Sequence, residues 1–489
     1  MYYSSIVENI ARHISDKGGK LCLTDGKITL TYEETWKTIC GFADALEKTG
    51  VKKGDCVVME CNQSVNFLIA YFAIQKIGAI NVPLEKNAAV ARVLEIAGDT
   101  DAVLHIANKA VDELRIPHID ISETTKKQIE VPLEDVHFPS GDDIAEILFS
   151  TGTTGKSKGI VLTHRNDVAI AENVINGVKM KPDNIEIIPM PMSHSHGLRR
   201  MYGNMVNGSS VVLLDGVTFV KKMFDLMDNY NVTSMDLSPS MLSIIFKLSR
   251  DKLGEYADVL DYVQLGSAPL GEEDKVHLSK ILPNTRLYNF YGSTEAGCSC
   301  LMDFNEMSGK PGCIGRPATN AEFIVVDENR KEIKSSPENL GFLASSGDIN
   351  MREYFKAPEL TKEAMANGFI YTKDLGYIDE EGLVYMLGRK DDVINYGGVK
   401  ISPEEVESVV MTNSWIHDCA LIPIKDALTG QAPKLFIALE DDADYNEKEF
   451  KSFLQKELDA NKQPKIIEII DEIPRTFNGK IVRKDLANR

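Results

Sequence analysis

An α/β fold, with a large N-terminal domain of layered α/β subdomains and a small α+β domain after it, follows from three features of the sequence. Short apolar strands alternate with helical segments over most of the chain. One β-rich run breaks into a loop of glycines, hydroxylated residues and lysines. After Gly388 the pattern changes character.

The alternation is clearest between Ile28 and Leu84. ITLTYEE leads a helix expected from Glu34 to Glu47, GDCVVMEC reads as a strand, and Ser64 to Gly78 reads as a helix before the strand AINVPL. Short apolar strands recur at Val211 to Leu214, Thr233 to Leu237, Tyr262 to Gly266 and Arg286 to Phe290. In the tail, Ser402, Pro403, Glu404 and Glu405 form an S-x-x-E capping box with proline at the first helical position. Strands near Cys419 to Ile424, Leu435 to Leu439 and Ile466 to Ile470 follow, with a helix from about Asn446 to Leu458. These patterns divide the chain into residues 1–388 and 389–489.

The loop lies in ILFSTGTTGKSKGIVLTHRN, residues 147–166. Gly152, Gly155 and Gly159 let the backbone turn its N–H groups inward, Ser150, Thr151, Thr153 and Thr154 add hydroxyl donors, and Lys156 and Lys158 add charge. Polyphosphate is the natural guest. A Walker A loop is excluded, because that motif needs glycine where Ser150 stands and a helix straight after its lysine. Here GIVLT follows, a β-branched run, with Asn166 as the expected N-cap of a helix through Val178. The loop therefore joins two strands.

Composition narrows the function. With 54 Lys and Arg against 73 Asp and Glu, the formal charge of −19 argues against a nucleic-acid surface or a polybasic membrane anchor. The start, MYYSSIVENIARHI, reads as an amphipathic helix and not as a signal peptide. Phe67 to Ile74 is too short to span a bilayer. The 8 cysteines are scattered without a Cys-x-x-Cys pair, which fits reduced thiols in a cytoplasmic protein.

The loop resembles the phosphate-binding signature of the adenylate-forming superfamily, whose usual form has proline where this chain has Ser157. Further motifs along the chain resemble that family's pattern in the same order. The resemblance implies an ATP-dependent carboxylate–CoA ligase, an AMP-forming acyl-CoA synthetase, that uses ATP, Mg²⁺ and coenzyme A. It further implies large-domain sheets with packed helices plus a small β-rich part, and a mobile C-terminal domain.

Residue by residue, the resemblance gives Thr294 and Glu295, in YGSTE, to ATP and Mg²⁺, while Tyr291, Gly292 and the segment Gly266, Ser267, Ala268 and Pro269 wall the adenine slot. Asp374, in YTKDLG, matches the ribose-binding aspartate and Arg389, in LGRKDD, the arginine beside it. Asp391 falls at the hinge, and Gly398 and Lys400, in NYGGVK, fall beside the pantetheine tunnel. Lys480, in FNGKIV, matches the lysine brought to the acyl carboxylate and α-phosphate, a task suited to a compact charge on a long stem. His194, in PMSHSHGL, matches a gate between the acyl and nucleotide pockets.

Arg199 and Arg200 are candidates for a second substrate carboxylate, with peripheral placement the favoured alternative. A rival reading keeps the adenylate but passes the acyl group to a carrier protein or an amine. No carrier domain follows Arg489, so that acceptor is expected to be separate. Fatty, aromatic and short dicarboxylic acids stay open as substrates, and a homodimer is one option for the assembly.

Overall fold

The computed structural model describes residues 2–487 apart from 151–156, 269, 308, 397–398, 427, 442 and 477–479. Three sheets organise the chain. In the largest, the strands Arg286–Ser293, Tyr262–Leu265, Ser234–Leu237, Ile185–Ile188, Ser210–Leu213 and Leu21–Thr24 run parallel as successive neighbours. That sheet continues through antiparallel partners Gly297–Asp303 and Cys313–Pro317 into a β-rich part made of Val384–Arg389, Phe369–Ile378, Gly341–Ser346 and Glu322–Val326.

The second sheet has five parallel strands, His118–Asp120, Leu104–Ala107, Cys56–Glu60, Ile80–Leu84 and Ile144–Ser150. Lys158–Thr163 pairs antiparallel at its end, so residues 150 and 158 face each other and the loop does join two strands. The third sheet, of 5 strands, spans residues 394–469.

Alternation of side chains explains the layering. Val57 and Met59 point into one core while Cys56 and Val58 point into another, and Val211 and Leu213 are divided from Val212 in the same way. The first core is shared by both large sheets and by the helices Tyr32–Lys48, Val65–Lys76, His164–Gly177 and Ser195–Asn207. Val65–Lys76 is apolar on every side and is buried from Phe67 through Gln75, as a helix enclosed within a core must be. In the third sheet Cys419 and Leu421 face helices Pro403–Met411 and Glu447–Glu457, whereas Ala420 and Ile422 face Ile473 and Leu486.

Local signals set the helix ends, with three differences from the sequence expectation. Thr31 closes a full capping box with Glu34, so that helix runs Tyr32–Lys48 and not from Glu34. After the loop the N-cap is Thr163 and not Asn166, because Thr163 ends a strand in the extended backbone that a cap needs. Asn166 takes the third helical position and donates to the carbonyls of Asp348 at 2.7 Å and Asn350 at 2.9 Å. Ser402 caps its helix at Glu405 N, but the Glu405 side chain turns away to Lys462 at 2.6 Å, so the box is half made. The eight cysteines are free and buried. Among the described residues no helix is long and apolar enough to cross a membrane.

Candidate active site

The Thr294–Glu295 turn joins the antiparallel strands Arg286–Ser293 and Gly297–Asp303. Gly292 makes the turn feasible, since a Cβ there would sit 1.9 Å from the carbonyl oxygen of Gly297. Thr294 Oγ1 shares a hydrogen bond of 3.0 Å with Ser195 Oγ, which ties the turn to the start of helix Ser195–Asn207. Glu295 Oε1 accepts from the Tyr354 hydroxyl at 2.9 Å, and no described residue bonds its other oxygen. Burial, then the Glu295 charge, raises the Tyr354 pKa, so its hydroxyl stays a donor.

Lys158 Nζ lies 5.4 Å from the centroid of the Tyr354 ring, so this tyrosine bridges the trailing end of the loop and Glu295. Arg92 donates to Ser157 Oγ at the same end. Ser150 is described only through its backbone. Thr151, Gly152, Thr153, Thr154, Gly155 and Lys156, and likewise Pro269 and Gly398, lie outside the described residues.

Asp374 and Arg389 face each other on neighbouring strands, with Arg389 Nε 3.4 Å from Asp374 Oδ1. Tyr291 donates its hydroxyl to Asp374 Oδ2. Burial, then Asp374, holds the Tyr291 pKa well above its ordinary value, so this hydrogen bond persists through the physiological range. Lys480 reaches the same place from the far end of the sequence. Desolvation, then the Arg389 charge, lowers its pKa against the opposing pull of Asp374, Asp392 and Glu404.

Two paired arginines fix the segment that carries Lys480. Arg475 grips Asp418 through Nε at 2.8 Å and Nη2 at 2.7 Å. Arg483 grips Glu407 bidentately and donates to the Leu421 carbonyl at 2.9 Å. Arg483→Gln is expected to slow adenylate formation about a hundredfold, the order a displacement of about 1 Å costs. Half-reaction assays with preformed acyl adenylate check this: the transfer step should fall far less, and equal loss in both would mean that Arg483 only holds the domain together.

Asp391 is exposed in a turn where Asp392 N and Val393 N both donate to the Arg389 carbonyl, at 2.9 and 2.8 Å. Lys390 pairs with Glu328 at 3.0 Å, and Lys400 lies close enough to act on the same Glu328. Proline at 391 fixes φ and restricts Lys390, so Asp391→Pro is expected to slow thioester formation about tenfold while adenylation changes little. Single-turnover rates for each step check it, and unchanged thioester formation would remove Asp391 from the hinge.

His194 is the N-cap residue of helix Ser195–Asn207 but makes no side-chain cap bond, so its ring is left for other contacts. Burial lowers its pKa and keeps the imidazole neutral near pH 7. Gly197 lets the helix start close under residues 190–191, since a Cβ there would meet the Pro191 carbonyl oxygen at 2.5 Å. His196 Nε2 lies 2.9 Å from Asp236 Oδ1 and Nδ1 lies 2.6 Å from Ser267 Oγ. Among the described residues no group of three or more His, Cys, Asp or Glu is placed to hold a metal ion.

Arg199 and Arg200 are neither peripheral nor open to a substrate carboxylate. Arg200 is 1% exposed and donates to both oxygens of Glu186, at 2.7 and 2.9 Å, to Gln264 at 2.6 Å and to the Tyr262 hydroxyl at 2.9 Å. Arg199, 6% exposed, donates to the Ser293 carbonyl and so supports the Thr294–Glu295 turn from below. Its charge also faces buried Glu146, whose pKa burial pushes up to about 7, and Asp167, which burial and Glu146 raise further.

Sequence reading assigned no role to Tyr354, Arg92 and Asp236. None lies in a motif that reads as chemistry, and each reaches the site through contacts between residues far apart in the chain.

The signature of the AMP-binding enzyme family matches residues 10–355, and that of the AMP-binding enzyme C-terminal domain matches residues 405–480. A peroxisomal OPC-8:0-CoA ligase 1 of Arabidopsis thaliana is 28% identical over 500 residues, covering 96% of this chain and 90% of that protein. The 4-coumarate–CoA ligase 3 of the same plant is 28% identical over 502 residues, covering 97% and 88%. In structure, ATP-bound MatB from Rhodopseudomonas palustris superposes with a TM-score of 0.89 at 23% identity, covering 100% of this chain and 99% of that one.

Proposed function

The chain belongs to the AMP-binding enzyme family, and from that premise we propose that it is an ATP-dependent carboxylate–CoA ligase. A carboxylate oxygen attacks the α-phosphorus of ATP and the bond to pyrophosphate breaks. The thiol sulfur of coenzyme A then attacks the acyl carbon and AMP leaves. The observation that carries this reading is that Lys480, about a hundred residues further along the chain, comes within electrostatic range of the Asp374–Arg389 pair.

A diol-binding carboxylate beside a flexible ammonium suits a nucleotide whose ribose is held while charge develops at its α-phosphate. Asp374 and Arg389 hold the ribose, Tyr291 and the segment 266–269 flank the base, and residues 150–158 hold the phosphates. Lys480 neutralises the developing charge, and His194 separates the acyl and nucleotide pockets. Magnesium fits the oxygen donors present: Glu295 keeps one oxygen unbonded by the described residues and Thr294 offers a hydroxyl beside it, and the bound ion would neutralise phosphate charge there.

Residues 1–388 form the adenylating part and residues 389–489 a lid that rotates about Asp391 between the two steps, taking Lys480 away and opening a path for pantetheine past Gly398 and Lys400. Coenzyme A is favoured as acceptor because similar proteins are named CoA ligases. The test is a screen of pyrophosphate release over a panel of carboxylic acids, with and without CoA. Acid-dependent release in the presence of ATP is expected, and its absence with every acid would end the ligase reading.

A further inference from the structure

Helix Ser195–Asn207 turns His196, Arg200 and Asn204 to one side, at spacings of four residues. They meet a polar layer formed by Glu186 on one strand, Ser234 and Asp236 on the next, and Tyr262 and Gln264 on the third. The deep end of this seam is closed. Arg200 has four hydrogen bonds there, and Asn204 donates to Glu186 at 2.6 Å.

The outer end is different. His196 bridges Asp236 and Ser267, and Ser267 is held at φ +73, a left-handed conformation seldom adopted by serine. Asp236 is 0% exposed, one of its oxygens bonds His196, and its Oδ2 has no hydrogen-bond partner among the described residues. This end adjoins the reacting centre, because Ser195, the residue before His196, bonds Thr294.

We infer that the acid activated by this enzyme carries a hydrogen-bond donor, a hydroxyl or an amino group, received by the Asp236–His196–Ser267 cluster. The inference rests on the ligase reading and narrows its substrate class. A buried carboxylate oxygen without a partner is costly, and a donor on the substrate completes it, whereas an apolar chain seals it off unpaired. A second carboxylate is the poorest fit. It would meet the Asp236 charge, and the guanidinium of Arg200 is already committed to Glu186.

The test compares ATP–pyrophosphate exchange for acids matched in length: hexanoate, 6-hydroxyhexanoate, 6-aminohexanoate and adipate, together with 3-phenylpropanoate and 3-(4-hydroxyphenyl)propanoate. Within each set a donor-bearing acid is expected to lead its apolar counterpart by at least about tenfold in kcat/KM, with adipate last. Asp236→Asn, which replaces the lone acceptor by a donor, should erase that lead. ATP affinity measured by calorimetry confirms that the variant is folded, and His196→Gln serves the same purpose if it is not. A wild-type preference for hexanoate, 3-phenylpropanoate or adipate, or an undiminished lead in both variants, overturns the inference and leaves the ligase reading standing. No exchange with any acid overturns the ligase reading itself.

Discussion

Lys480→Ala is expected to cut adenylate formation by about 10²–10³-fold, the usual loss when one charge-stabilising donor is removed from a transition state. On the proposed mechanism the lysine acts on phosphorus and leaves before the thiol arrives, so transfer to CoA from preformed acyl adenylate should survive. The pH profile gives an independent reading. Desolvation and Arg389 lower the Lys480 pKa, so the ammonium is lost at a lower pH than for an ordinary lysine. The adenylation rate should therefore fall early on the alkaline side, and the transfer rate should lack that limb. Equal loss in both half-reactions, or a shared alkaline limb, would contradict the role.

Glu295→Gln is expected to raise the Mg²⁺ concentration needed for half-maximal rate and to slow the first step about a hundredfold. The substitution is well defined because the amide keeps an oxygen that can accept from Tyr354, now at 2.9 Å, and loses only the charge. ATP binding should persist. A Mg²⁺ titration unchanged at full activity would take Glu295 out of the metal site.

What the sequence made legible was local. The loop between two strands could be read because glycines and hydroxyls sit between β-branched runs, and the cap at Ser402 because a short polar side chain precedes an apolar periodicity. The order of strands in the sheets could not be read, since it depends on which apolar faces meet. Arg200 shows the same limit at the site. Beside two histidines it read as a peripheral charge or, less favoured, a substrate-binding one, yet Glu186, fourteen residues away in sequence, claims it inside the core.

Tyr354 was illegible for the opposite reason. Nothing around it in sequence marks chemistry, and its hydrogen bond to Glu295 comes from the pairing of residues 353–354 with 160–161 at the sheet edge. Asp236 reads as one polar residue in an apolar strand, and its meaning comes from His196 on a helix packed across it.

The central claim, that one site makes an acyl adenylate and then a thioester, is tested most directly by mass spectrometry of a single turnover with ATP, Mg²⁺, CoA and the best acid from the screen. The expected result is acyl adenylate that appears together with pyrophosphate and then decays as acyl-CoA and AMP form, the three products ending in equal amounts. Acyl adenylate that persists beside unconsumed CoA would contradict coenzyme A as the acceptor, and ADP with phosphate in place of AMP with pyrophosphate would contradict adenylation itself.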